Sequence, residues 1–196
     1  MTALYGRQEK LKINNKQSIT ICGAGGIGFW VCKFAALAGI PKIRIYDPDT
    51  FEEHNLNRID VDYDSIGKNK AVVARDMVEN IRPDCDIMAL PFKFKEHMFD
   101  GTDWIVDCTD LFESQQVISG IAKNVSTRYM KAGYNGWNIS INNEIAEWGE
   151  APDQYTVIPS FVVPAAIISA LVVAKITNFT DHEIGCKVED LYNFGK

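Results

Sequence analysis

The segment Gly23-Ala-Gly-Gly-Ile-Gly28 spaces its glycines so that the chain can turn tightly and bring a diphosphate close to the N-terminus of a following helix. Asp47, nineteen residues beyond Gly28, offers a carboxylate that can accept hydrogen bonds from ribose hydroxyls. Arg58 and Lys70 are cations of different kinds, a planar fork and a mobile point charge, and both suit phosphate oxygens. Asp110 adds a carboxylate suited to holding Mg²⁺ against those phosphates. Moving an adenylyl group from ATP to a carboxylate brings two anions together and expels pyrophosphate, so a site for that chemistry needs both cations and a metal. The glycine loop and Asp47 by themselves serve a nicotinamide-dependent oxidoreductase equally well. Each residue also has a bland reading: glycines that only let helix and sheet pack, Asp47 in a strand-end turn with Pro48, and Asp110 as a helix N-cap.

The elements that must position these residues alternate. Ser18–Cys22 is short, β-branched and followed by glycines, which predicts a buried strand running into a turn. A helix follows over Gly28–Leu37 and stops at Gly39 and Pro41. Further strands are expected at Lys42–Tyr46, Cys85–Leu90 and Trp104–Val106, with helices at Lys70–Ile81, ended by Pro83, and at Leu111–Asn124. Strand, crossover helix and strand repeated in this way imply a parallel sheet flanked by helices. After residue 128 the pattern changes to two strands, Tyr129–Tyr134 and Asn138–Trp148, with Asn135-Gly136 as a hairpin signal between them. The expectation is an α/β, Rossmann-like, mixed but mainly parallel sheet, closed by an apolar helix over about Ser160–Thr177. The last twenty residues receive no assignment.

Composition narrows the alternatives. The 196 residues are 46% hydrophobic and 23% charged, which suits one folded domain over 1–196. With 20 Lys+Arg against 26 Asp+Glu the net charge is −6, so nucleic acid is not an expected partner. Val157–Ile176 is mostly apolar, but Pro159, Ser160, Pro164, Ser169 and Lys175 interrupt it; a core or interface helix is expected there, and no membrane association. The N-terminus has no apolar core of the secretory kind, and five cysteines with no CxxC pair fit reduced thiols in the cytoplasm. Cys108 and Cys186 are read as inert thiols, and His54, His97 and His182 lack metal-ligand spacing.

Taken in order, the glycine loop, Asp47-Pro-Asp-Thr-Phe-Glu-Glu-His-Asn-Leu-Asn-Arg58, Gly67-Lys-Asn-Lys70 and Asp107-Cys-Thr-Asp110 closely resemble successive motifs of the ThiF/MoeB/HesA superfamily, adenylating enzymes related to ubiquitin-activating enzymes. The resemblance runs from about Tyr5 to Thr177 and implies a short, single-domain, ATP- and Mg²⁺-dependent adenylyltransferase. Its acceptor would be the C-terminal glycine carboxylate of a ubiquitin-like or sulfur-carrier protein. Carried over by position, it implies that Gly23, Gly25, Gly26 and Gly28 cradle the nucleotide, Asp47 holds the ribose, and Asn55, Arg58 and Lys70 contact phosphates. Asp110 would serve adenylation through Mg²⁺. Tyr5-Gly-Arg-Gln8 is similar to the family's N-terminal helix, which implies a homodimer in which Arg7 reaches the partner's nucleotide site. The chain departs from the family pattern at Ile59, where Gln is usual, at Leu111, where Asn is common, and at Gln115, where Arg is common further along. Paired zinc-binding CxxC motifs are missing, so structural zinc is not expected, and the segment between Trp148 and Ser160 is too short for a long loop carrying a nucleophilic cysteine. Two rival readings remain: a non-catalytic nucleotide-binding scaffold of the same fold, and an NAD(P)-dependent oxidoreductase.

Overall fold

The computed structural model describes residues 3–145, 159–178 and 182–192. Among these residues seven strands form one sheet: β1 (Ser18–Cys22), β2 (Lys42–Tyr46), β3 (Asp86–Leu90), β4 (Trp104–Asp107), β5 (Arg128–Asn135), β6 (Asn138–Asn142) and β7 (Ile184–Lys187). Their order is β3-β2-β1-β4-β5-β6-β7, with the first five parallel and β6 and β7 antiparallel. The helices are α1 (Gly28–Ala38), α2 (Lys70–Ile81), α3 (Phe112–Asn124) and α4 (Val162–Ile176). The expected Rossmann-like, mainly parallel sheet is therefore what the chain forms.

The strand order reverses between β1 and β4, because the chain winds outward from β1 through β2 to β3 and then returns to the other side of β1. At such a reversal the loops after the two central strands leave in opposite directions and open a crevice at their carboxyl ends. That crevice contains the glycine loop after β1 and the segment after β4.

The parallel strands show apolar residues to both sides, as strands covered on two faces must. On one face Ile19, Ile21, Ile43, Ile45, Val106, Met130 and Ala132 pack with Phe29, Val31 and Ala35 of α1, Ala74 and Val78 of α2, and Ile168 and Val172 of α4. On the other, Cys22, Tyr46 and Ile105 form a smaller core with Ile118, Ile121 and Ala122 of α3. The apolar segment near the C-terminus is the core helix α4; its Ser169 hydroxyl donates to the Ile27 carbonyl at 3.0 Å, which ties α4 to the start of α1. Among the described residues no helix is long and apolar enough to cross a membrane.

The structure corrects several local expectations. The hairpin loop is Gly136-Trp137 rather than Asn135-Gly136, since Asn135 pairs with Asn138. Gly136 has φ +56° and takes the first central position, where a type II′ turn requires glycine. The strand expected over Asn138–Trp148 ends at Asn142; residues 146–148 lie outside the described residues. In place of an N-terminal helix there are two 3-10 turns, Ala3–Tyr5 and Glu9–Leu11. The unassigned tail supplies the edge strand β7, which pairs with β6.

Candidate functional site

The glycine loop is built by backbone constraints. Gly23 has φ +91°, and its N–H donates to the Tyr46 carbonyl at 2.8 Å, so the turn leaves β1 while still fastened to the end of β2. A β-carbon at Gly28 would overlap the Gly23 carbonyl oxygen, so only glycine lets the helix start against the turn. At Gly25 a β-carbon would meet nothing within 4 Å, which leaves open space above the loop. Among the described residues no side chain caps α1; the Phe29 N–H donates to the Gly25 carbonyl at 3.1 Å, which leaves the Gly28 and Trp30 N–H groups of the first turn open to an anion.

Asp47 ends β2 beside this loop and is nearly buried. Its Oδ2 accepts from the Ala24 N–H at 2.6 Å and its Oδ1 from the Asp49 N–H at 2.8 Å. Burial raises its pKa above the ordinary carboxylate value, and these two N–H bonds and the charge of Lys70 only partly offset the shift. The strand-end turn role and the place beside the loop thus coexist in one carboxylate.

The segment after β2 returns over the loop. Asn55 is buried, and its Oδ1 accepts from the Glu52 N–H at 3.1 Å, which fixes the short 3-10 turn Glu53–Asn55. Arg58 follows, with Nη1 donating to the His54 carbonyl at 2.7 Å and to Asn57 Oδ1 at 3.0 Å; it has no carboxylate partner among the described residues. Its side chain lies over Gly26, where an added β-carbon would sit 3.2 Å from Cδ and 2.9 Å from the Tyr134 hydroxyl. Lys70 opens α2, after Asn69 has capped the helix by accepting from the Val72 N–H at 3.1 Å, and its Nζ lies 3.4 Å from Asp49 Oδ2.

Asp110 lies past β4. A β-carbon on Gly23 would stand 3.2 Å from the Cys108 carbonyl, so the two strand-end loops are in contact. The N-cap of α3 is Leu111, with no side-chain cap bond, so the N-cap reading of Asp110 is not realised. Its carboxylate is exposed and without a protein partner among the described residues. Asp107, by contrast, is wholly buried; its Oδ1 accepts from the Thr109 N–H and hydroxyl at 2.9 and 2.7 Å, and its Oδ2 from the Tyr129 hydroxyl at 2.8 Å.

Gly23, Gly25, Gly26, Gly28, Asp47, Asn55, Arg58, Lys70 and Asp110 therefore all belong to the carboxyl edge of the parallel strands or to the loops that return over it. Arg7 does not. Gln8 Nε2 donates to the Ala38 carbonyl at 3.1 Å and the Tyr5 ring packs against Gly39, which puts Arg7, exposed, at the far end of α1. Eleven residues of helix separate that end from the loop, about 16 Å. Residues that sequence reasoning missed are Lys131, nearly buried beneath the Asp107–Asp110 segment, and Tyr134, packed over Gly26.

The thiols are poor nucleophiles here. Burial pushes Cys108 up to about 12, with Asp107 adding to the shift and Lys131 opposing it, and Cys22 is also raised by burial and by Asp107. Cys186 is raised as well, by burial and then by Asp190. Among the described residues no group of three His, Cys, Asp or Glu side chains could hold a metal. Mg²⁺ bound through one carboxylate, waters and substrate phosphates needs no such cage, and the unpartnered Asp110 fits that mode.

A doubly wound α/β sheet with a glycine loop at its switch point defines the Rossmann-like class. The sequence pattern of the ThiF family matches residues 1–145, and the chain belongs to that family. Adenylyltransferase and sulfurtransferase UBA4 of Kluyveromyces lactis is 34% identical over 133 residues, covering 65% of this chain and 30% of that protein. The protein of the same name from Saccharomyces cerevisiae is 30% identical over 144 residues, covering 65% and 32%. This chain thus spans about a third of the length of the curated relatives it matches. Among solved structures, E. coli MccB with AMPCPP and MccA has a TM-score of 0.78 at 18% identity, covering 96% of this chain and 69% of that one. E. coli tRNA N6-threonylcarbamoyladenosine dehydratase, TcdA, in complex with ATP has a TM-score of 0.59 at 23% identity, covering 68% and 57%. At those identities the likeness shows the shared fold.

Proposed function

We propose that this chain is an ATP- and Mg²⁺-dependent adenylyltransferase that activates the C-terminal glycine carboxylate of a ubiquitin-like or sulfur-carrier protein. The observation that carries the reading is the meeting of the glycine loop, Arg58 and the Asp110 segment at one edge of the sheet, with the Arg58 and Asp110 charges unneutralised by any partner among the described residues. The names of the UBA4 relatives, adenylyltransferase and sulfurtransferase, support it, as do the nucleotides in the MccB and TcdA structures.

In this reading the loop N–H groups and the N-terminus of α1 take the phosphates, and Asp47 faces the ribose. Asn55, Arg58 and Lys70 stabilise charge on the phosphates. Asp110 would hold Mg²⁺, which supplies neutralisation of phosphate charge when bound. The acceptor carboxylate attacks the α-phosphorus, forming one P–O bond while the bond to the bridging oxygen of pyrophosphate breaks. A carboxylate is already a nucleophile, so no general base is required, and the absence of a role for His54, His97 or His182 is consistent with that.

Arg7 acts in a homodimer on the partner's nucleotide, a reading supported by its distance along α1 from its own loop. Arg7→Ala is expected to slow adenylation while leaving the dimer intact. Mixing it with Asp110→Asn subunits restores about a quarter of the sites, since half of the dimers are mixed and each holds one complete site. No recovery on mixing removes the trans role.

The test of the whole reading is ATP–pyrophosphate exchange with Mg²⁺ and a candidate acceptor ending in Gly-Gly. Exchange that requires the acceptor supports it. ATP binding without exchange for any acceptor favours the scaffold reading, to which Leu111 and Gln115 belong, and NADH binding without ATP binding favours the oxidoreductase.

A further inference from the structure

Lys131 has no part in the reaction as described, yet it is a costly residue to keep. It is 3% exposed, and removing an ammonium from water costs several kcal/mol unless its three donors are satisfied. Its Nζ donates to the carbonyls of Thr109 at 2.7 Å, Ala132 at 2.7 Å and Asp107 at 3.4 Å, and no carboxylate among the described residues pairs with it. Two of the three acceptors belong to the segment that ends in Asp110. Gln115 Nε2 reaches the same Thr109 carbonyl at 3.2 Å, while its Oε1 is buried without a partner.

A trans peptide points its C=O and N–H in opposite directions, and the described chain contains no cis bond. Drawing the Thr109 carbonyl inward to Lys131 and Gln115 therefore turns the Asp110 N–H outward. That N–H has no protein acceptor among the described residues, and it stands one residue beyond Thr109, whose backbone N would lie 3.4 Å from a β-carbon on Gly23. A charged donor on the carbonyl also polarises the peptide and strengthens its N–H as a donor.

We propose that Lys131 is a positioning residue that aims the Thr109–Asp110 peptide, so that the Asp110 N–H becomes a donor to a nucleotide phosphate held by the glycine loop. The inference rests on the nucleotide-binding part of the function proposed above and adds a binding group and the residue that orients it.

The experiment is a ¹⁵N–¹H correlation spectrum of the wild-type protein titrated with AMPCPP in EDTA, so that no divalent ion bridges to the carboxylate. The Asp110 amide is expected to shift together with those of Gly25 and Gly26. Shifts at Gly25 and Gly26 with Asp110 unmoved overturn the inference and leave nucleotide binding standing; no shift at any of the three, in EDTA and again with Mg²⁺ restored, overturns both. Lys131→Met, close in length but without charge, is expected to lower the exchange rate by about 10- to 100-fold with KM for ATP changed by less than about 3-fold. It should also abolish the Asp110 amide shift, and Lys131→Arg should recover part of both. A Lys131→Met protein with wild-type rate and an unaltered Asp110 shift overturns the positioning role. A variant that fails to fold leaves the wild-type titration to decide.

Discussion

At the amino ends of the parallel strands, Arg44 grips Asp86 and Asp100 at 2.8 Å each, Lys42 adds a 2.9 Å contact to Asp100, and Arg82 pairs with Asp84 at 2.6 Å. Asp103 there accepts both the N–H and the hydroxyl of Ser18 at 2.7 Å. At the carboxyl ends, among the described residues, Asp110 has no partner, Arg58 and Lys131 donate only to neutral oxygens, and Lys70 reaches Asp49 at 3.4 Å. Charges that only hold the fold find opposite charges, because an unpaired ion near a low-dielectric surface is costly. Charges left short of neutralisation at one edge of the same sheet mark where a charged ligand completes the set.

The contrast breaks most sharply at the glycine loop. Gly28→Ala puts a β-carbon into the Gly23 carbonyl oxygen, so ATP binding is expected to fall by more than about 100-fold and the fold to lose stability. Gly25→Ala meets nothing within 4 Å, so its Tm should match wild type while ATP affinity alone drops. Calorimetric titration beside thermal melts separates the two, and equal Tm losses would remove the distinction between a loop shaped for itself and one shaped for a ligand.

Next in size is the exchange of one charge at each edge. Asp110→Asn is expected to lower pyrophosphate exchange by about 100- to 1,000-fold with little change in Tm, because its carboxylate makes no bond among the described residues. Arg44→Met should do the reverse. It removes charged hydrogen bonds worth about 2 kcal/mol in total, which lowers Tm by roughly 4–8 °C and leaves the rate per folded molecule unchanged. A large Tm loss in Asp110→Asn would show that both edges are structural.

The carboxyl edge of this comparison is partly legible in the sequence, the amino-edge ion pairs are not, and the difference has a physical cause. Lys70–Ile81 was bounded correctly because its signals are local: Asn69 caps one end and Pro83 lies beyond the other. The glycine loop and Asp47 are legible because a nucleotide reading needs those residue types at strand ends, and Asp110 is legible through the family resemblance; the structure puts all three at the carboxyl edge. Lys131 was missed because a lysine in a strand ordinarily reads as solvent-facing; here its side chain is buried, with Nζ on the carbonyls of Asp107, Thr109 and Ala132. Tyr134 meets Gly26 from far along the chain, a pairing that no local spacing encodes. The hairpin slipped by one residue because Asn-Gly and Gly-Trp both fit a two-residue loop, and the pairing of Asn135 with Asn138 decided between them. The edge strand β7 was invisible because Ile-Gly-Cys-Lys is short and interrupted by glycine.

The smallest expected effect separates the two edges by pH. The hydrogen bond from Arg44 holds Asp86 below the usual carboxylate range; at Asp100 burial pushes upward, but the bonds from Lys42 and Arg44 outweigh it. A carboxylate whose folded pKa is depressed contributes stability that is fully present above its unfolded pKa, about 4, and is lost as pH falls through the folded value. Asp47 has the opposite sign. Burial raises its pKa, so its ionisation opposes folding as pH rises from about 4 through the raised value. Asp86→Asn is therefore expected to lower Tm by about 1–2 °C at pH 7, a modest amount because the Asp86 side chain is 61% exposed and its pairing is screened by water. That difference should begin to shrink as the pH is taken below about 4 and close only once it has fallen through the depressed folded value, where wild-type Asp86 is also neutral. A Tm gap that persists unchanged at pH 3 would mean that Asp86 acts through packing rather than charge, and the amino edge would no longer stand as the electrostatically satisfied half of the comparison.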